Sequence, residues 1–168
     1  MPIIYNGTTL STVKYNGTTL DKVIYNGVTV FESWQTTPIT LYDGYVEKQT
    51  TGSSRQDCEI YSGTLSATIP STMTLYVYDT NGLSTVSCSV QIYGKTSSSG
   101  SWTLIKTFDP GTLTNCSIIP SASSVTTISL GDDLTTSYVS YRALIPRSSR
   151  PDLTVKLGYF TLTKYKNA

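Results

Sequence analysis

Histidine is absent from all 168 residues. Its absence removes the commonest general base, the Ser-His and Cys-His nucleophile pairs, and most transition-metal sites. Charge is scarce as well: Asp, Glu, Lys and Arg make up 14%, and 12 basic residues against 11 acidic ones leave a net charge of +1. Such a balance gives no field that would draw in nucleic acid or an anionic membrane, and neither is expected as a partner. Cysteine occurs three times, as Cys58, Cys88 and Cys116, an odd number at spacings that fit no zinc or redox motif. Cys88 shares an alternating apolar face with Val86, Val90 and Ile92 and reads as a small buried hydrophobe. Free thiols are the expectation, with a Cys58–Cys116 disulfide as the alternative. No apolar run approaches the length of a membrane-crossing helix, and no basic-then-apolar leader stands near Met1. Passage out of a cell is therefore expected only within an assembled particle. No segment sustains a 3.6-residue apolar period, so helix should be minimal.

What the chain does have is repetition. Its opening aligns as IIYNGTTLST, VKYNGTTLDK and VIYNGVTVFE, three units with a ten-residue period. Asn-Gly is the strongest two-residue hairpin signal, because a type I′ turn needs positive φ at both central positions. The turns fall at Asn6-Gly7, Asn16-Gly17 and Asn26-Gly27, with Tyr5, Tyr15 and Tyr25 immediately before them. Strands of roughly three to five residues are too short to bury a face alone, so the units must stack on one another or on a partner. Residues 1–34 are read as a docking or oligomerisation segment on that ground. The alternative is a first sheet of the main domain.

Residues 35–168 change pattern. MTLYVYDT sets Met73, Leu75 and Val77 against Thr74, Tyr76 and Tyr78, and VSCSVQIYG places Val86, Cys88, Val90 and Ile92 inward. YVSYRALI puts Val139, Tyr141, Ala143 and Ile145 on one face, and LTVKLGYF does so with Leu153, Val155, Leu157 and Tyr159. This period of two marks half-buried antiparallel strands. Turns are predicted at Asp43-Gly44, Asn81-Gly82, Ser99-Gly100, Asp109-Pro110-Gly111 and Gly131-Asp132. The predicted fold is all-β: an antiparallel β-sandwich, jelly-roll-like, preceded by short β-hairpin repeats.

Candidates for chemistry are few. Asp57 with Glu59, and Asp132 with Asp133, are carboxylate pairs of the kind glycoside hydrolysis uses, and Asp132-Asp133 could offer oxygen ligands to calcium. Each lies near an expected turn or strand end, where acids are ordinarily solvated. No phosphate loop or dinucleotide fingerprint occurs. No enzyme, cofactor or metal is expected. Tyrosine is the unusual component, 13 against 3 Phe and 2 Trp, and its flat apolar body with a polar tip suits interfaces and sugar stacking. Tyr42 and Tyr45 flank Asp43-Gly44, and Arg147 and Arg150 lie in a Pro-bounded loop. These four are the candidate recognition residues.

The tandem segments typified by KVIYNGVTVFE resemble segments of phage and prophage structural proteins, over roughly residues 3–34. VQIYGKTSSSGSWTLIKTF followed by SYVSYRALI resembles the core hairpin of discoidin-like sandwiches and of sandwich modules on phage particles. That likeness implies that Trp102 packs in the core and that the later strand takes the neighbouring sheet position. Together the resemblances imply a non-enzymatic virion protein, assembled in the bacterial cytoplasm, tail-associated in preference to head-associated. Its partners would be other virion proteins and sister subunits, a trimer being one such closed assembly. The alternatives are a capsid decoration protein, or a module that binds carbohydrate or another receptor on the host surface.

Overall fold

The computed structural model describes residues 4–5, 8–9, 13–20, 22–50, 56–147 and 153–168. Among them every regular element is a strand. The repeat forms three hairpins, β1 (Ile4–Tyr5) with β2 (Thr8–Thr9), β3 (Val13–Tyr15) with β4 (Thr18–Leu20), and β5 (Lys22–Tyr25) with β6 (Val28–Glu32), each its own two-stranded sheet. Eight longer strands follow: β7 (Ile39–Thr50), β8 (Cys58–Tyr61), β9 (Thr68–Asp79), β10 (Val90–Lys95), β11 (Thr103–Phe108), β12 (Thr126–Ser129), β13 (Ser140–Ile145) and β14 (Leu153–Asn167).

These eight make two four-stranded antiparallel sheets, ordered β12-β9-β14-β7 and β11-β10-β13-β8. Counted from β7 as the first, the orders are 6-3-8-1 and 5-4-7-2. That pairing, with successive strands passing back and forth between sheets, is the jelly roll. The sandwich predicted from the alternation is present.

The core lies between the sheets. Met73, Leu75 and Val77 of β9 and Leu153, Val155, Leu157, Phe160 and Leu162 of β14 meet Cys58 and Ile60 of β8, Val90 and Ile92 of β10, and Tyr141, Ala143 and Ile145 of β13. Buried Tyr141 keeps its hydroxyl satisfied by bonding the Thr68 hydroxyl at 2.7 Å and donating to the Thr68 carbonyl at 2.9 Å. The later strand, β13, does pair with β10, in the register Tyr93↔Arg142.

Several local expectations are corrected. Asp43-Gly44 is not a turn. It lies inside β7 as a bulge, with Gly44 at φ 95, between the pairs Tyr45↔Gly158 and Tyr42↔Phe160. At the same level β14 bulges against β9, with residues 159 and 160 opposite Leu75 alone, so Tyr159 takes φ 42 and leaves the inward row, and Phe160 is buried instead. Gly158 permits the close approach, since a Cβ there would stand 2.3 Å from the Gly44 carbonyl oxygen. Tyr76 faces outward yet is fully buried, because the β11–β12 connection covers it: its hydroxyl donates to the Ser117 carbonyl at 2.6 Å. Val139 is half-buried and precedes β13, while Tyr138 beside it is buried against Gly94.

The strand order also fixes a polarity. Thr50 at the end of β7 pairs with Leu153 at the start of β14, and Asp79 at the end of β9 pairs with Val155. The long connections 80–89 and 109–125 leave from this end and pack together through the Thr85↔Thr114 bridge. At the opposite end Asn167 pairs with Thr68, and Gln35 bridges Tyr165. The repeat therefore joins the sandwich at the end away from its longest loop, 109–125, and on the side of the connection 130–139.

Candidate functional site

The second and third hairpins are built as the Asn-Gly signal predicts. Asn16 and Gly17 have φ 48 and 79, and Asn26 and Gly27 have φ 49 and 76. Register follows from the turn, with Tyr15 opposite Thr18 and Tyr25 opposite Val28. A Cβ at Gly17 or Gly27 would meet nothing within 4 Å, so these glycines serve backbone conformation alone. Large apolar side chains stand exposed on them among polar ones: Tyr15 and Tyr25 are each 69% exposed and Ile24 is 59% exposed. In the first hairpin Ile4 pairs with Thr9 and Tyr5 with Thr8, while Asn6 and Gly7 lie outside the described residues.

Trp34 carries the connection to the sandwich. Lys164 and Lys166 of β14 stand over its ring, at 4.8 and 4.5 Å from the centroid. Lys164 also bonds Asp132 at 2.7 Å, and Asp132 accepts from the Ser71 hydroxyl. The Lys164 and Ser71 hydrogen bonds hold the Asp132 carboxyl below its usual range. Gln35 exchanges backbone bonds with Tyr165, at 2.7 and 3.1 Å, so residues 34–35 are strapped onto the last strand.

The four candidate recognition residues do not gather into one patch. Tyr42 packs against the core, whereas Tyr45 is exposed beyond the bulge, with Lys156 at 6.0 Å. Arg147 is exposed, and its backbone N–H donates to Asp57 at 2.8 Å. Arg150 lies outside the described residues. The carboxylate pairs are likewise divided among structural partners: Asp57 holds that backbone, Glu59 pairs with Arg142 at 3.6 Å, and Asp132 holds Lys164. Among the described residues no three His, Cys, Asp or Glu side chains converge as a metal site would need. All three cysteines are free thiols. Burial pushes Cys58 and Cys88 up to about 12, which keeps them protonated and inert at neutral pH.

Trp102 corrects a further expectation. It lies half-buried on the outer face of the β11-β10-β13-β8 sheet and takes no part in the core. Register sets Leu104, Tyr93, Arg142 and Tyr61 in one row across the four strands. Trp102 comes over this row, 5.8 Å from the Tyr61 ring. The Arg142 guanidinium sits 4.1 Å from the Tyr93 ring centroid and 5.3 Å from that of Trp102, and Lys95 stands 4.8 Å from the latter. The Tyr61 phenol is pushed up, first by burial and then by its hydrogen bond with Glu59, so it remains neutral. Sequence reading missed this cluster because Tyr61, Tyr93, Trp102 and Arg142 are distant in the chain. Only the strand register unites them.

No family model and no curated protein matches the chain. Among solved structures it is similar to that of the infectious bursal disease virus Gx strain, at 12% identity and a TM-score of 0.27, over 99% of this chain and 50% of that one. It is similar also to the VP2 subviral particle of the same virus, at 12% identity and a TM-score of 0.25, over 100% of this chain and 50% of that one. The chain thus spans half the length of each. Likeness at these TM-scores carries no weight here, and fold and site rest on strand order and side chains.

Proposed function

We propose that this chain is a non-enzymatic structural protein of a phage or prophage particle, tail-associated, whose N-terminal hairpins fix it to neighbouring virion proteins or sister subunits while the jelly roll is displayed. The observation that carries this reading is the state of the hairpins. Each is a separate two-stranded sheet, and the second and third leave Tyr15, Ile24 and Tyr25 exposed. An isolated two-stranded hairpin is marginal in water, and a partner surface supplies the missing burial. Repetition multiplies the effect, because linked copies of a weak contact raise avidity without any new kind of contact. Pairing of strand edges adds main-chain hydrogen bonds that demand little of side chains. The Trp34 strap and the position of the linker set the longest loop, 109–125, at the end away from this anchor. The YNG resemblance supports a phage setting.

The test uses full-length protein carrying Tyr15→Ser, Ile24→Ser and Tyr25→Ser together. Particles are induced from the source strain, purified by density gradient and labelled with gold-conjugated antibody. Wild-type protein should band with particles and label the tail or its tip. The triple variant should fold, with an unchanged circular dichroism spectrum, yet stay in the soluble fraction. Label over the head would make the protein a capsid decoration and overturn the tail assignment. Absence from every particle, or undiminished incorporation of the variant, would overturn the anchoring role.

A further inference from the structure

We propose that the outer face of the β11-β10-β13-β8 sheet, at Tyr61, Trp102, Arg142 and Glu59, is a saccharide-binding platform. It stands independently of how the hairpins dock. The ring of Tyr61, 42% exposed, and that of half-buried Trp102 lie side by side, 5.8 Å apart and tilted by 40°. Two neighbouring aromatic surfaces at that spacing offer apolar contact to the C–H face of a pyranose. Around them stand hydrogen-bonding groups of both kinds that vicinal hydroxyls need. Glu59 accepts, while Arg142 and Lys95 donate.

Arg142 is the group whose surroundings are least complete. Tyr93 and Trp102 hold its guanidinium in place through their ring faces. Its nearest carboxylate oxygen, on Glu59, is 3.6 Å from a terminal nitrogen, beyond a good hydrogen bond. Its Nε is buried with no acceptor among the described residues. Held by two rings, the Glu59 carboxylate and the Tyr61 hydroxyl, Arg142 keeps 17% of its side chain exposed beside the platform.

The size and chemistry of the patch choose the occupant. A stable protein partner needs about 800 Å² on each side with an apolar centre. Here the rings are bordered by Lys95, Glu59 and Gln91, and by Leu104 and Thr107 along β11. The exposed apolar part is the Tyr61 and Trp102 rings with Leu104 beyond them, the width of a short oligosaccharide. Nucleic acid is disfavoured by the net charge of +1.

Trp34 and Trp102 are the two tryptophans of the chain, so Trp34→Phe leaves Trp102 as sole reporter. The full chain is first applied to an array of short bacterial-surface and animal-type oligosaccharides. The strongest binder is then titrated into the Trp34→Phe protein while Trp102 emission is followed. Saturable change in that emission is expected. Tyr61→Ala and Trp102→Ala, read by calorimetry in the otherwise wild-type chain, should each weaken binding about tenfold or more. Glu59→Gln, which keeps the shape of the side chain and leaves both rings in place, should weaken it as well. Failure of every arrayed saccharide, or binding that survives both ring substitutions, would overturn the platform. So would concentration-dependent self-association abolished by Trp102→Ala, which would make this face a contact between copies.

Discussion

Replacing Asp79 should unfasten one end of the sandwich. This carboxylate is fully buried and closes the loop between β9 and β10. Its Oδ1 accepts from the backbone N–H of Asn81 at 3.1 Å and of Gly82 at 2.6 Å. Its Oδ2 accepts from the Ser87 N–H at 2.6 Å, the Ser87 hydroxyl at 3.0 Å and, more weakly, the Cys88 thiol at 3.6 Å. Asn115 of the β11–β12 connection braces the same corner: its Oδ1 accepts from Asp79 N–H at 3.1 Å, and its Nδ2 donates to the carbonyls of Asp79 and Gly82 at 3.2 and 3.0 Å. Asp79→Asn has the same shape but only one acceptor oxygen. Whichever way the amide turns, its NH2 meets a backbone N–H where an oxygen stood, so one charge-assisted bond is lost and two donors are forced together. A hydrogen bond to a charged group is worth about 1.5–3 kcal/mol net, and an orphaned buried donor costs a similar amount. The expected loss is about 3–5 kcal/mol for Asp79→Asn, which for a chain of this size lowers Tm by roughly 6–20 °C. Urea unfolding gives the free energy, and native-state hydrogen exchange gives the location. The Gly82 and Ser87 amides should lose protection first. A loss under about 1 kcal/mol, or unchanged protection at those amides, would refute the assignment of this carboxylate as the organiser of the loop.

Two further predictions test packing and pH. Gly94→Ala would place a Cβ 2.3 Å from the Tyr138 ring, so we expect about 1–3 kcal/mol of destabilisation, with Tyr138→Leu recovering much of it in a double-mutant cycle; independent, additive costs would refute the contact. Asp132 has its carboxyl held below the unfolded value of 3.8, so its bonds to Lys164 and Ser71 stabilise the fold above that value and are lost as pH falls through the lower folded one. The gap in stability between wild type and Asp132→Ala should be no more than about 1 kcal/mol, because the pair is exposed and screened, and should close below pH ~4; a gap that persists in acid would refute the linkage.

The sandwich was legible because alternation and turn residues are local signals. Met73, Leu75 and Val77, or Leu153, Val155 and Leu157, declare their strand face within a few residues, and all six are buried. The alternation misled where a second strand intervened. Nothing near Tyr159 in sequence announces that β14 will bulge there, turning it out and drawing Phe160 in, since the strands it bulges against, β7 and β9, are distant in the chain. Asp43-Gly44 has the composition of a turn, and its φ of 95 at Gly44 meets the same steric need, so local chemistry could not separate turn from bulge. Tyr76 and Trp102 exchanged their expected environments for a related reason. One is covered by a distant loop and the other lies across an outer face, and a period of two says which face a residue takes but not what later covers it. Asp79 escaped notice because one acid at a strand end resembles a solvated one until its donors are assembled around it.

The hairpins and the sandwich solve the same physical problem in opposite ways. A strand edge presents unpaired N–H and C=O groups, and a short strand buries too little to hold itself in place. In the sandwich, β14 is long enough to pair with β7 on one side and β9 on the other, and the bulges at Gly44 and Tyr159 bend these strands around a shared core. The second and third hairpins close one edge each through an Asn-Gly turn and keep the other. Their turn chemistry costs nothing that a partner must supply, because positive φ at Asn16, Gly17, Asn26 and Gly27 already fixes register before any contact is made. On the proposed docking role, what is left for a partner is burial of Tyr15, Ile24 and Tyr25. An anchor preorganised in this way gives up less conformational freedom on docking than a segment that must fold as it binds. Linked on one chain, such weak units would hold more firmly together than any one of them alone, provided the partner offers matching sites. On that reading a partner that itself repeats, such as a particle built of identical subunits, would let several hairpins dock at once.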